Sequence, residues 1–296
     1  MRMSSLHKVL LLITFFSFWF IGFIEHAKAN FLGISLVLTV GLIHGANDLR
    51  IIGKLNGNNR FSKKNQLILY MILALSTFVI FYLFPVTALI IFLLFSCYHF
   101  GEQHWLERKV KNSRILPFFA FSYGLLIISM ILKFNIAETI LILKDITHIE
   151  IGFSVFNIVL YISALIFLIL TYLLRLVLFP NFSDFFKELL LILVLGVIFK
   201  TSTLIWSFAF YFIVWHAVPS LYSQIKVLYN NEKGNGMLTY LKHSIFYWLI
   251  AILGLLLAIF FFQENTNWIV SMFFPFIAAL TIPHALVMSK MFEEYG

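Results

Sequence analysis

Apolar residues run through this chain in blocks of about 20, each closed by a short polar or basic stretch. Ten blocks are readable, at roughly 8–25, 31–47, 66–84, 86–105, 115–132, 153–179, 187–199, 202–222, 244–263 and 267–291. At ~1.5 Å rise per residue, ~20 apolar residues cross a hydrocarbon layer of ~30 Å. The pattern therefore predicts an all-α polytopic transmembrane helix bundle of about ten spans. Eight to ten is the range, because 187–199 is short and 153–179 is long. The stretch 136–147, "IAETILILKDIT", predicts a short interfacial helix. No repeat, low-complexity segment or soluble domain interrupts the blocks, so 1–296 reads as a single transmembrane domain. Arg2 and Lys8 precede the first block, and "AKA" (Ala27–Ala29) resembles a signal cleavage site. That block exceeds most signal cores and another follows at once, which predicts an uncleaved first span.

Composition agrees: 61% of residues are hydrophobic and 11% charged, more apolar surface than a water-soluble domain of this length can hide. The net charge of +8 would suggest nucleic acid in a soluble protein. Here the basic residues cluster in short loops, so topology and anionic lipid explain them and no nucleic-acid partner is expected. One side of the ten-span arrangement collects Arg2, Lys8, Arg50, Lys54, Arg60, Lys63, Lys64, Arg108, Lys109, Lys111, Arg114, Arg175, Lys187, Lys226, Lys233, Lys242 and Lys290. The other keeps only Lys28, Lys133, Lys144 and Lys200. That asymmetry predicts both termini on the cytoplasmic side of the cell (inner) membrane. The single cysteine, Cys97, excludes an intramolecular disulfide and a cysteine-built zinc site.

Histidines carry the chemistry. His7, His26, His148 and His243 fall in tails, loops or span edges. His44, His99, His216 and His284 fall inside four spans that run in the same direction. Counted from Phe31, Val86, Leu204 and Trp268, helical rise puts them ~18–24 Å deep, within about one turn of a common plane. A lone intramembrane histidine is most simply an interhelical hydrogen bond. Four at one depth predict a metal site, since polar groups in a membrane face the bundle interior and converging imidazoles suit zinc, copper or iron. Asp48 follows His44 by four residues and Glu102 follows His99 by three, so each shares its histidine's helix face. Both are candidates to take a ligand's second ring N–H or to bind the metal. His104 is turned away from His99 on an ideal helix and would join only if the helix broke at Gly101. Gly41, Gly45, Pro219 and Pro283 stand beside the other histidines, where they would loosen the helices.

The segments "GLIHGANDL", "YHFGEQHW", "WHAVPSLY" and "TIPHALVM", spread from about 41 to 288, together resemble the Brp/Blh family of integral-membrane β-carotene oxygenases of bacteria and archaea. The resemblance implies cleavage of β-carotene by O2 at its central double bond, giving two molecules of all-trans-retinal. It implies a non-haem Fe(2+) cofactor, and carries the metal-binding and catalytic role to His44, His99, His216 and His284. Two departures stand out. Some members have a histidine four residues after the one matching His216, where this chain has Ser220, and an acid is expected where His104 stands. A downstream opsin receiving the retinal is a further expectation of the resemblance.

A hydrocarbon substrate calls for an apolar slot open to the bilayer. Candidates beside the histidines are Phe100, Trp105, Phe208, Phe212, Trp215 and Phe274, among 36 phenylalanines whose simplest use is to face lipid. A membrane di-iron desaturase or hydroxylase would use "HFGEQH" as a histidine box, but no H-x-x-H-H cluster is present. An intramembrane zinc protease would need an H-E-x-x-H, which is also missing. The non-enzyme alternative is a transporter or metal-permeation protein, against which stand the single histidine layer and the lack of an inverted repeat.

Overall fold

The computed structural model describes residues 5–55, 63–105, 114–179, 181–229, 235–261 and 268–295. The loop cations Arg2, Arg60, Arg108, Lys109, Lys111 and Lys233 lie outside them. All regular structure among the described residues is helical. Among the described residues, eight helical stretches are long and apolar enough to cross a membrane, the low end of the expected range. Two of the ten blocks fall short. The first forms α1, Ser5–Ile21, of only 17 residues. The seventh lies in α10, Phe182–Thr201, whose Asp184, Lys187, Glu188 and Lys200 interrupt its apolar character. The stretch 136–147 is helical as expected, forming α8, Ile136–Thr147. The chain is thus an all-α multi-pass membrane protein.

The chain divides into two compact units, and the boundaries at 37/38, 96/97 and 219/220 fall inside helical stretches. The first unit comprises Met1–Val37, Cys97–Leu141 and Glu150–Pro219. It holds α1, α2 (His26–Leu36), the end of α6 (Pro85–Trp105), α7 (Leu116–Phe134), the start of α8, α9 (Phe153–Leu178), α10, α11 (Leu204–Phe210) and a π-helical stretch, Tyr211–Ala217. Within it α7 packs on α9 and α10, α2 on α11, and α1 on α10. The turn joining α10 to α11 is polar yet buried, so its backbone groups need partners. Asn135 Nδ2 donates to Phe199 O (3.1 Å) and to Ser207 Oγ (3.2 Å). Glu138 Oε2 accepts the Leu204 N–H (2.9 Å), and Thr203 Oγ1 accepts from Trp206 N at the start of α11.

Two glycines bring α6 and α7 into backbone contact. A Cβ on Gly101 would stand 1.7 Å from Ala120 O, and one on Gly124 would stand 1.8 Å from Cys97 O. Cys97/Gly101 and Ala120/Gly124 are each four apart, the small-x-x-x-small spacing that lets membrane helices approach closely. Gly101 therefore does not break α6, which runs unbroken to Trp105. Its missing side chain is used for packing.

The second unit comprises Leu38–Ser96, Ile142–Ile149 and Ser220–Gly296. Its elements include most of the π-helical turn Val37–Gly41, α3 (Leu42–Gly45), α4 (Asp48–Leu55), α5 (Lys63–Leu83), most of α12 (Val218–Tyr229), α13 (Gly236–Phe261) and α14 (Trp268–Tyr295). Helix α14 packs on α3, α4, α5 and α13. Ile51, Val287, Met288, Met291 and Phe292 form the apolar core at one end of that packing. In both units the outward faces are apolar: Leu165, Leu168, Tyr172 and Leu176 on α9, and Leu249, Leu253 and Leu256 on α13, are exposed. Such continuous apolar surface suits a bilayer, not water.

Candidate metal centre

The four intramembrane histidines are all buried and stand in two edge-to-face pairs, one in each unit. In the second unit the rings of His44 and His284 lie 4.5 Å apart between centroids, at 80°. In the first, His99 and His216 also lie 4.5 Å apart, at 71°.

Two of them sit at departures from α geometry. His44 follows the π-helical turn Val37–Gly41, and His216 lies within the π-helical stretch Tyr211–Ala217. A π turn spends one residue more than an α turn and is frequent at functional sites. Pro219 offers no N–H to Trp215 O, so the regular ladder is already interrupted beside His216. The loosening expected around Gly41 and Pro219 thus takes the form of π helix. At Pro283 it does not occur, and α14 continues through Pro275 and Pro283.

The hydrogen bonds of the second unit decide which ring nitrogen each histidine has for a metal. Gly41 O can only accept, so the contact from His44 Nδ1 places the proton on Nδ1. His284 Nδ1 lies 2.8 Å from Asp48 Oδ1, and that carboxylate also accepts from Tyr70 O–H through Oδ2 (2.9 Å). An ionised carboxylate is likewise acceptor only, so His284 carries its proton on Nδ1 too. In the neutral form both rings keep a lone pair on Nε2, the donor atom that iron, zinc or copper takes from imidazole. The donor set of this pair fits such a metal.

Asp48 thus bonds the ring of His284 and not that of His44, whose helix face the spacing gave it. The backbone of His44 is held separately. Gln224 Nε2 donates to His44 O (2.8 Å) and to Ser220 Oγ (2.9 Å). Tyr240 O–H lies 2.8 Å from Gln224 Oε1 and 3.0 Å from His44 O. Asn47 Nδ2 completes the network by donating to Ser244 Oγ and Tyr240 O. Ser220, at the position of the first departure from the Brp/Blh pattern, is fully buried and serves this network.

In the first unit Glu102 is buried and accepts from Tyr98 O–H (3.1 Å). His104 turns away from His99, as the unbroken helix requires, and its Nε2 lies 3.1 Å from Glu188 Oε2 with both side chains nearly buried. Its ring stacks on Tyr123 at 4.7 Å. Trp215 faces His104 and His7, and its Nε1 donates to Thr14 Oγ1 (3.0 Å), tying α1 to the His216 segment. Trp105 is enclosed by Phe119, Tyr123 and Phe179. Phe208, Phe212 and His216, each four residues apart, form a row of near-parallel rings at 5.5 Å steps, with Phe100 beside His216 at 4.8 Å. In the second unit, Phe274 is half-buried on α14 and edge-on to Phe273.

Tyr70, Glu188, Gln224 and Tyr240 were not candidates from sequence. Glu188 and Gln224 had a signal, being polar groups inside apolar helices. Tyr70 and Tyr240 had none, because tyrosine in a membrane helix commonly serves as interfacial anchor.

Neither curated proteins nor solved structures give a match to the chain. A family model described as β-carotene 15,15'-dioxygenase matches residues 35–292, a stretch that includes all four buried histidines. The chain belongs to the β-carotene 15,15'-dioxygenase family.

Proposed function

We propose that this chain is a Brp/Blh-type oxygenase of the cell (inner) membrane that cleaves β-carotene at its central double bond with O2, forming two all-trans-retinal. In this reading 1–296 acts as one membrane domain with both termini cytoplasmic, and His44, His99, His216 and His284 hold one Fe(2+). The observation that carries the reading is the family match over 35–292 together with the buried imidazole pairs it contains. Two of those imidazoles present Nε2, because their Nδ1 protons are engaged by Gly41 and Asp48.

Fe(2+), when bound, supplies the O2 and redox chemistry that no side chain provides. The chain's own residues do the rest. Gly41 and Asp48 fix two ring tautomers, and the Gln224–Tyr240 network fixes the backbone from which His44 projects. Phe100, Phe208, Phe212, Trp215 and Phe274 exclude water and hold a polyene by dispersion, whereas Trp105, enclosed by Phe119, Tyr123 and Phe179, only packs the first unit. With so few polar handles available to a hydrocarbon, the position of the alkene relative to the imidazoles selects the bond.

Expression in a bacterium that makes β-carotene tests the reading: the cells lose orange colour and accumulate retinal. Alanine at any one of the four histidines abolishes that conversion. Unchanged colour with well-expressed wild-type protein refutes the activity, and full activity of one variant removes that histidine from the ligand set.

A further inference from the structure

Helix α5 faces largely outward, and its residues Leu67, Leu69, Ile72 and Leu75 are exposed. Its inward side carries the buried Thr77 and Phe81 and, near its start, the half-buried Tyr70. The Tyr70 hydroxyl turns inward, 2.9 Å from Asp48 Oδ2, while Asp48 Oδ1 lies 2.8 Å from His284 Nδ1. Asp48 and His284 are both buried. The three groups form one file, Tyr70–Asp48–His284, drawn from α5, α4 and α14, and these three helices pack on one another.

A carboxylate with one oxygen bonded can turn about its side-chain torsions, and a buried oxygen left without a donor gives it reason to turn. Tyr70 removes that freedom by bonding the second oxygen. The outcome is a fixed Oδ1, a fixed Nδ1 proton on His284 and a fixed direction for the His284 Nε2 lone pair. A second effect has the opposite sign: a donor on Oδ2 draws charge from the carboxylate and so weakens its pull on the imidazole proton. Loss of a group that orients a metal ligand typically costs ~10–100-fold in affinity, so the net sign expected is that of the orientation effect.

We propose that Tyr70 is a positioning residue for the metal: acting through Asp48, it aims His284 and thereby sets the affinity and geometry of the site. This rests on the metal-binding reading above and adds to it a residue that touches neither metal nor substrate.

The test uses full-length protein purified in detergent, stripped of metal and titrated with Co(2+) alone, followed by the d–d absorption of the bound ion. Tyr70→Phe keeps the ring and removes only the hydroxyl. Its expected effect is a roughly tenfold weaker Co(2+) affinity with an altered d–d spectrum. Asp48→Asn weakens binding further, and Tyr70→Phe added to Asp48→Asn changes nothing more, because the hydroxyl acts only through that carboxylate. Unchanged or tighter binding by Tyr70→Phe overturns the proposal while wild-type Co(2+) binding leaves the metal site standing. Independent, additive losses in the double variant overturn it as well. If the wild type takes up no Co(2+), the metal-binding reading falls and this proposal with it.

Discussion

Replacing Gly101 by alanine is the sharpest probe of how the first unit holds His99. The new Cβ would meet Ala120 O at 1.7 Å, against an ordinary contact of at least 3.4 Å. The obstacle is backbone, so no rotamer change relieves it, and α6 must lift from α7. Two terms oppose each other. Alanine favours helix over glycine by about 1 kcal/mol. Overpacking a tight contact costs about 1–3 kcal/mol, and a backbone-to-backbone clash belongs at the top of that range or above it. The net loss is therefore about 2 kcal/mol. His99 sits two residues from the clash on the same helix, and a ~1 Å displacement of a reacting group costs about 100-fold in rate. The assay pairs thermal unfolding in detergent with retinal yield in a carotene-making host. Gly254→Ala is the control: Gly254 lies on exposed α13 with nothing within 4 Å of an added Cβ. It should keep wild-type yield and lose no stability. Gly101→Ala with wild-type melting and yield would refute the close-approach argument, as would equal damage from Gly254→Ala.

Other outcomes follow from the same structure. His148 ends α8 with φ of 58°, so His148→Gly should raise the unfolding temperature by relieving about 1 kcal/mol of left-handed strain. Glu188→Ala leaves the buried His104 Nε2 facing a vacated partner and should cost about 1–3 kcal/mol, whereas the double change His104→Phe/Glu188→Leu should cost less, both read by thermal unfolding. Thr14→Val removes the acceptor of the Trp215 indole N–H and should cost about 1 kcal/mol in the same measurement. A strong chelator should abolish retinal formation by the purified protein, and added Fe(2+) should restore it. Restoration by Mg(2+) would contradict an imidazole site.

Apolar block length made the helices legible in the sequence, because the bilayer imposes it on any span. The two blocks that fell short had visible causes, the 17-residue length of α1 and the four charges of α10. Histidine placement was legible for the same reason: an imidazole in an apolar block has few uses. Pairing was not. Nothing in "GLIHGANDL" tells that Asp48 serves His284, 236 residues away, while His44 uses its own helix's carbonyl. That choice depends on where α14 packs. The Gly101 outcome shows the converse, since a glycine marks either a break or a close approach and only the neighbouring helix decides between them.

The stretches at 37–41 and 211–217 have a consequence for how such a chain can change. Each residue advances an α-helix by about 100° around its axis. One residue gained or lost inside a wide turn therefore swings everything beyond it to a new side while the helix keeps its course. At these two places insertion or deletion, more than substitution, decides which side chains look inward and which meet the lipid.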